Sequence, residues 1–231
     1  MDKKIYTENK YIWLLSSLAI FLLLTPFKAA DIPGCEFLSS VAFSCILGTA
    51  IYTCRKDKHY LLISLVLSFP AVISYWAHSN HVYYSPEILL ISGSLFYTFY
   101  IFIITREIFK FESSIYNKLA ASLCNYLMIG ITFTYLYTLI ELKNPNSFLF
   151  PETISSLPVN REQGLPNMFD LLYHSFVTLS TLGYGDIQPR SNLSRMLCIT
   201  EALIGQIYLV VIVAGIVSSA KDNELHPKAH Q

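Results

Sequence analysis

Six runs of apolar residues, each close to the length a helix needs to cross a bilayer, leave this chain little choice of solvent. A helix covers the roughly 30 Å hydrocarbon layer with about 20 apolar residues. The runs are Tyr11 to Phe27, Phe37 to Cys54, Tyr60 to Ala77, Ile88 to Thr105, Leu119 to Ile140 and Met196 to Ala220. Charged residues mark their edges: Lys10 and Lys28 bracket the first, Arg55 to Lys58 follows the second, and Arg106 closes the fourth. Pro70 predicts a kink in the third. At 53% hydrophobic and 14% charged residues, the chain has too little polar surface to coat a water-soluble domain of 231 residues. The expected fold class is therefore an all-α membrane protein with six transmembrane helices, with membrane lipid as its surroundings. A formal charge of zero gives no reason to expect nucleic acid as a partner.

Lys3 and Lys4 before the first run also suit a cleaved signal peptide. The cleavage region PFKAA, however, places Lys28 where a small residue is wanted. With the N-terminus inside, the inner side collects eleven Lys and Arg: three before the first span, three at 55–58, three at 106–118 and two in the tail. Lys28, Lys143, Arg161, Arg190 and Arg195 give five outside. The excess predicts that both termini are cytoplasmic, in a multi-pass protein of the cell membrane.

The pattern changes between the fifth and sixth runs. Residues 141–167, with Pro145, Pro151, Pro158 and Pro166, read as an exposed outer loop. The stretch NMFDLLYHSFVTLS, 167–180, is apolar but too short to cross, and Asn167 after Pro166 suits a helix start. A short helix followed by TLGYGD and then a full span reads as a re-entrant hairpin, whose irregular backbone is tolerated only where it lines a polar cavity.

The residues Thr181, Leu182, Gly183, Tyr184, Gly185 and Asp186 resemble the selectivity filter of the potassium channel family, TVGYG, with Leu182 where valine is usual. The resemblance runs from Phe169 to Val217, with helix, filter and inner span in order. It implies that backbone carbonyls of Thr181, Leu182, Gly183 and Tyr184, with the Thr181 hydroxyl, replace the water shell of K+. Gly183 and Gly185 permit the left-handed backbone this needs. One strand cannot surround an ion, so the resemblance implies a homotetramer around a fourfold axis. A glycine-rich turn between helices would explain the two glycines but not the surrounding TxSTxGYGDxxP. Potassium uptake proteins carry four degenerate loops in one chain, whereas this chain carries one.

The family pattern assigns filter support to Tyr173, His174, Thr178, Ser180 and Asp186. Tyr173 is expected to hold the Asp186 carboxylate, and His174 to reach the Tyr184 phenol of a neighbouring chain. His174 stands where an aromatic is usual, and either senses pH or packs in an aromatic cuff. Gly205 falls at the family's hinge position, and serves as a hinge or a close-packing point. Gln206, Leu209 and Val213 share a helix face that would line the cavity. Glu201, one turn before Gly205, braces the short helix or adds charge behind the filter.

The expected domains are a four-helix unit over 1–110, a pore domain over 111–220 and a short cytoplasmic tail over 221–231. Within the pore domain lie an outer helix at 119–140, an outer loop at 141–167, a pore helix at 168–180, the filter at 181–186 and an inner helix at 196–220. The fourth span, ILLISGSLFYTFYIFIIT, lacks the repeated arginines that steep voltage sensing requires. A tail of eleven residues leaves no room for a ligand-sensing domain, so an unidentified regulatory subunit remains open as a partner.

The expected function is passive, potassium-selective conduction, against the alternative of a nonconducting membrane subunit on the same scaffold. No nucleophile and base, paired carboxylates or phosphate loop suggests an enzyme, and no cofactor is expected beyond K+ as the transported ion. Cys35, Cys45, Cys54, Cys124 and Cys198 form no CxxC pair and read as packing residues. His78 with His81, and His226 with His230, are weak metal-spacing candidates. Asn192-Leu193-Ser194 matches a glycan acceptor.

Overall fold

The computed structural model describes residues 10–29, 32, 34–53, 57–79, 85–108, 115–151 and 168–225. Six helices are long and apolar enough to cross a membrane. They are α1 (Lys10–Ala29), α2 (Cys35–Thr53), α3 (Lys58–Ser79), α4 (Pro86–Ile108), α5 (Ile115–Lys143) and α7 (Asn192–Leu225). Each coincides with one of the six apolar runs, and all but α2, which ends at Thr53, extend beyond their run at both ends, because helical hydrogen bonding continues past the point where hydropathy falls. α7 shows this most, starting at Asn192 and ending at Leu225. Pro70 lies inside α3, which continues through it. A shorter helix, α6 (Met168–Leu179), is 12 residues long, about 18 Å at 1.5 Å per residue, and cannot cross.

In this lipid-soluble fold the packing is read from contacts, since both faces of a span are apolar. α1 lies against α2 and α5, α3 against α4, and α4 runs along α5. Small residues allow the α4–α5 approach: a Cβ on Gly93 would stand 3.1 Å from the Tyr135 ring. Leu14, Phe43, Leu90, Tyr97 and Tyr135 belong to one continuous buried cluster across these helices. A second cluster joins α5, α6 and the segments around them through Phe133, Tyr137, Phe148, Leu171, Leu179 and Ile187. α5 contributes to both, so it is the common wall of the two cores.

Two short strands, β1 (Phe148–Leu149) and β2 (Gln188–Pro189), pair antiparallel with Phe148 opposite Pro189 and Leu149 opposite Gln188. This clip ties the chain after α5 to the chain entering α7. The Glu141 carboxylate accepts from the Asn146 and Phe148 amides at 2.8 and 3.0 Å, fixing the turn that leads into β1. The Ser147 carbonyl in turn accepts from the Arg190 amide at 2.7 Å and the Ser194 hydroxyl at 2.9 Å. Among the sequence candidates, Asn167, His81, His226 and His230 lie outside the described residues, as do 152–167 of the long loop.

Candidate functional site

α6 ends at Leu179, and the chain then runs through residues 180–186 in open, non-helical backbone to Asp186. Its first amides point back: Thr181 N donates to Thr178 O at 3.0 Å and Leu182 N to Val177 O at 3.0 Å. These bonds satisfy carbonyls that the last helical turn would leave open. Positive φ then occurs at every second residue: Thr181 at 59°, Gly183 at 59° and Gly185 at 75°. Glycine adopts this region freely, but for threonine it costs about 1–2 kcal/mol. The sequence placed Thr181 in the filter and marked the two glycines as left-handed, but did not reveal that Thr181 shares that backbone. The signal available was the period of two itself, carried one step back from 183 and 185.

The far end of this segment is held from three directions. The Tyr173 hydroxyl donates to Asp186 Oδ2 at 2.7 Å, and the Ile187 amide donates to Asp186 Oδ1 at 3.0 Å. These donors, Tyr173 first, hold the Asp186 carboxyl below the usual carboxylate range. The same bond pushes the Tyr173 phenol up to about 12. Gln188 Nε2 donates to the Gly185 carbonyl at 2.9 Å. Gln188 was not singled out from the sequence, where a polar residue after a loop carries no distinguishing mark.

His174 is nine-tenths buried, with Tyr137 and Phe148 ring centroids at 5.5 and 5.4 Å. Its Nε2 lies 3.3 Å from Cys198 Sγ on the same chain. Burial pushes its imidazole down to about 4, against a smaller opposing pull from Asp186. Thr178 is half-buried, whereas Ser180 is exposed and its hydroxyl donates to Phe176 O at 2.6 Å.

Behind α6, Glu201 is fully buried, and its two carboxyl oxygens lie 2.5 Å from the Tyr137 and Ser175 hydroxyl oxygens respectively. It therefore touches α5 and α6 from α7. Gly205 is the tightest of the described glycines: a Cβ there would stand 2.2 Å from the Leu179 carbonyl oxygen. Close packing accounts for this glycine in the observed conformation. Gln206 and Leu209 are exposed on the single chain, and Val213 lies within α7. Exposure sets α7 apart: 11% of its apolar window is buried, against 72% for α5. Leu182 and Tyr184 are exposed as well, at 60% and 68%.

Residues 123–221 match a family model described as an ion channel. The chain is 33% identical over 92 residues to two pore potassium channel c of Oryza sativa subsp. japonica, covering 35% of this chain and 20% of that protein. It is 30% identical over 111 residues to two-pore potassium channel 2 of Arabidopsis thaliana, covering 48% and 21% respectively. With two-pore potassium channel 3 of Arabidopsis thaliana it shares 34% identity over 68 residues, covering 28% and 16%. The chain thus spans about a fifth of the length of these curated relatives. No solved structure matches it. The segment 123–221 is similar to ion-channel domains and lies in a multi-pass integral membrane protein.

Proposed function

We propose that this chain, whose residues 123–221 are similar to ion-channel domains, conducts K+ passively through a pore made by four copies of itself. The observation that carries this reading is the alternation of positive φ at Thr181, Gly183 and Gly185. Mirror-image backbone at every second residue turns successive carbonyls toward one side of a strand, where a row of oxygens can take the place of water around a cation. Gln188 engages the Gly185 carbonyl. That leaves the carbonyls of Thr181, Leu182, Gly183 and Tyr184, with the Thr181 hydroxyl, as the ligand set. The end of α6 at Leu179 brings the negative pole of its dipole to the base of this row, which favours a cation there.

A tetramer follows from ligand count, since one strand offers oxygens on one side of an ion only. The exposed α7, with Ile199, Leu203, Ile207 and Val210 each at least half exposed, supplies an apolar face for neighbouring copies. Gln206, Leu209 and Val213 would then line the inner cavity. The Lys and Arg excess supports cytoplasmic termini, with Asp186 at the outer mouth. α4 carries one basic residue, Arg106, in its last turn, so steep voltage dependence is not part of the proposal. The three names of the relatives that mention potassium support the choice of ion.

The test is flux. Purified full-length protein in liposomes with an outward K+ gradient should release K+ far faster than Na+, and Ba2+ should block it. Equal passage of both cations would refute selectivity; no flux at all would favour a nonconducting membrane subunit.

A further inference from the structure

Glu201 is a buried carboxylate on α7 that the ion pathway does not use and the interior does not explain. Its side chain is 0% exposed, and both groups that reach it are uncharged hydroxyls. Among the described residues, Tyr126, Tyr137, His174 and Cys198 are the titratable groups near it, and no cationic side chain donates to the carboxyl. An isolated buried carboxylate is among the costliest groups a protein can hold.

Counting protons resolves this. Three close oxygen pairs form a chain: Tyr137 hydroxyl to Glu201 Oε2 at 2.5 Å, Ser175 Oγ to Glu201 Oε1 at 2.5 Å, and Ser175 Oγ to Gly130 O at 2.8 Å. Each contact is too short for two oxygens with no proton between them. Tyr137 and Ser175 have one hydroxyl proton each, which serves two of the three contacts. The third proton must come from residue 201.

Resting on the channel reading for its consequence, we propose that Glu201 is a positioning residue that works as a neutral acid. Its carboxyl donates to Ser175, Ser175 donates to the Gly130 carbonyl of α5, and Tyr137 donates to the carboxyl. The relay joins three helices: α5 through Gly130 and Tyr137, α6 through Ser175, and α7 through Glu201 itself. It holds α6 one turn away from the Gly205 seat, where Leu179 ends the helix that carries the candidate filter. The group is therefore a fastener of the filter's support and contributes no charge to the cavity. A carboxamide satisfies the same relay, with its NH2 toward Ser175 and its carbonyl toward Tyr137.

The experiment uses the full chain in lipid, as wild type, Glu201→Gln, Glu201→Leu and Ser175→Ala. Infrared difference spectra between wild type and Glu201→Gln should show the carbonyl stretch of a protonated carboxylic acid at neutral pH, and Ser175→Ala should shift it. K+ flux and K+ over Na+ selectivity should fall about tenfold or more in Glu201→Leu, which strands two buried hydroxyls, and return to within about twofold of wild type in Glu201→Gln. A spectrum with no acid band, or a Glu201→Gln protein as impaired as Glu201→Leu, would overturn the proposal. The infrared result does not depend on conduction, so a wild-type protein that passes no K+ would sink the channel reading while leaving the protonation state measured.

Discussion

Replacing Gly205 by alanine adds one methyl group at the described glycine least able to receive it. The new Cβ would stand 2.2 Å from the Leu179 carbonyl oxygen, 3.1 Å from its carbonyl carbon and 3.1 Å from its Cδ1. A carbon and a carbonyl oxygen rest about 3.3–3.6 Å apart, so α7 and the end of α6 must separate by roughly 1 Å. The obstacle is backbone, so no rotamer change relieves it. Overpacking of this kind costs about 1–3 kcal/mol, which corresponds to a factor of about 5 to 150 in the population of the correctly packed protomer. The displaced element is the last turn of α6, whose Val177 and Thr178 carbonyls anchor the Leu182 and Thr181 amides. The damage should therefore fall on selectivity as well as stability. Thermal unfolding of the detergent-solubilised protein and the ratio of K+ to Na+ flux would read the two effects. Gly48→Ala is the control, because a Cβ on that exposed α2 glycine meets nothing within 4 Å. If Gly205→Ala melts and selects like wild type while Gly48→Ala does the same, the close approach is not a constraint and the hinge role of Gly205 regains its place.

Gly183→Ala forces a side chain into φ of 59°, at about 1–2 kcal/mol for each protomer; K+ flux should collapse while membrane insertion, followed by protease protection, survives. Tyr173→Phe removes the main donor to Asp186, so the Asp186 carboxyl should titrate closer to its ordinary value, measurable by carbon-detected NMR. Because the folded carboxyl sits low, the contribution of this bond is complete above the unfolded carboxylate range. It is lost only as pH falls through the depressed folded value, so tyrosine and phenylalanine proteins should differ in stability at neutral pH and converge in acid. His174→Phe should leave the pH response of the current between about pH 5 and 8 unchanged, because a ring pushed down to about 4 stays neutral across that window. A flattened response in the variant would return His174 to a proton-sensing role. Its buried ring should instead cost stability as pH drops below the ordinary imidazole value, where the unfolded chain takes up a proton that the folded ring resists.

The spans were legible because a bilayer reads hydropathy directly: a run of 20 apolar residues has one low-energy solution, and Leu119 to Ile140 becomes α5 whatever surrounds it. The short apolar stretch before TLGYGD was legible for the same reason in reverse, since α6 is too short to cross. Glycine at 183 and 185 announced a left-handed backbone because no other residue adopts one so cheaply. Tertiary structure decided the rest. Thr181 is left-handed because its amide is tied to Thr178 and because the alternation continues through it, neither of which is a property of threonine. Gly205 is immovable because of the Leu179 carbonyl, 26 positions away in the chain. Glu201 meets Tyr137 and Ser175 across 64 and 26 positions, and a lone carboxylate in an apolar run says only that a partner exists, never which one. Local chemistry determined which segments enter the membrane and where the backbone must turn left-handed. Only three-dimensional packing determined which polar groups share protons and which glycine has no room for a methyl group, since both depend on distances between helices that no local pattern encodes.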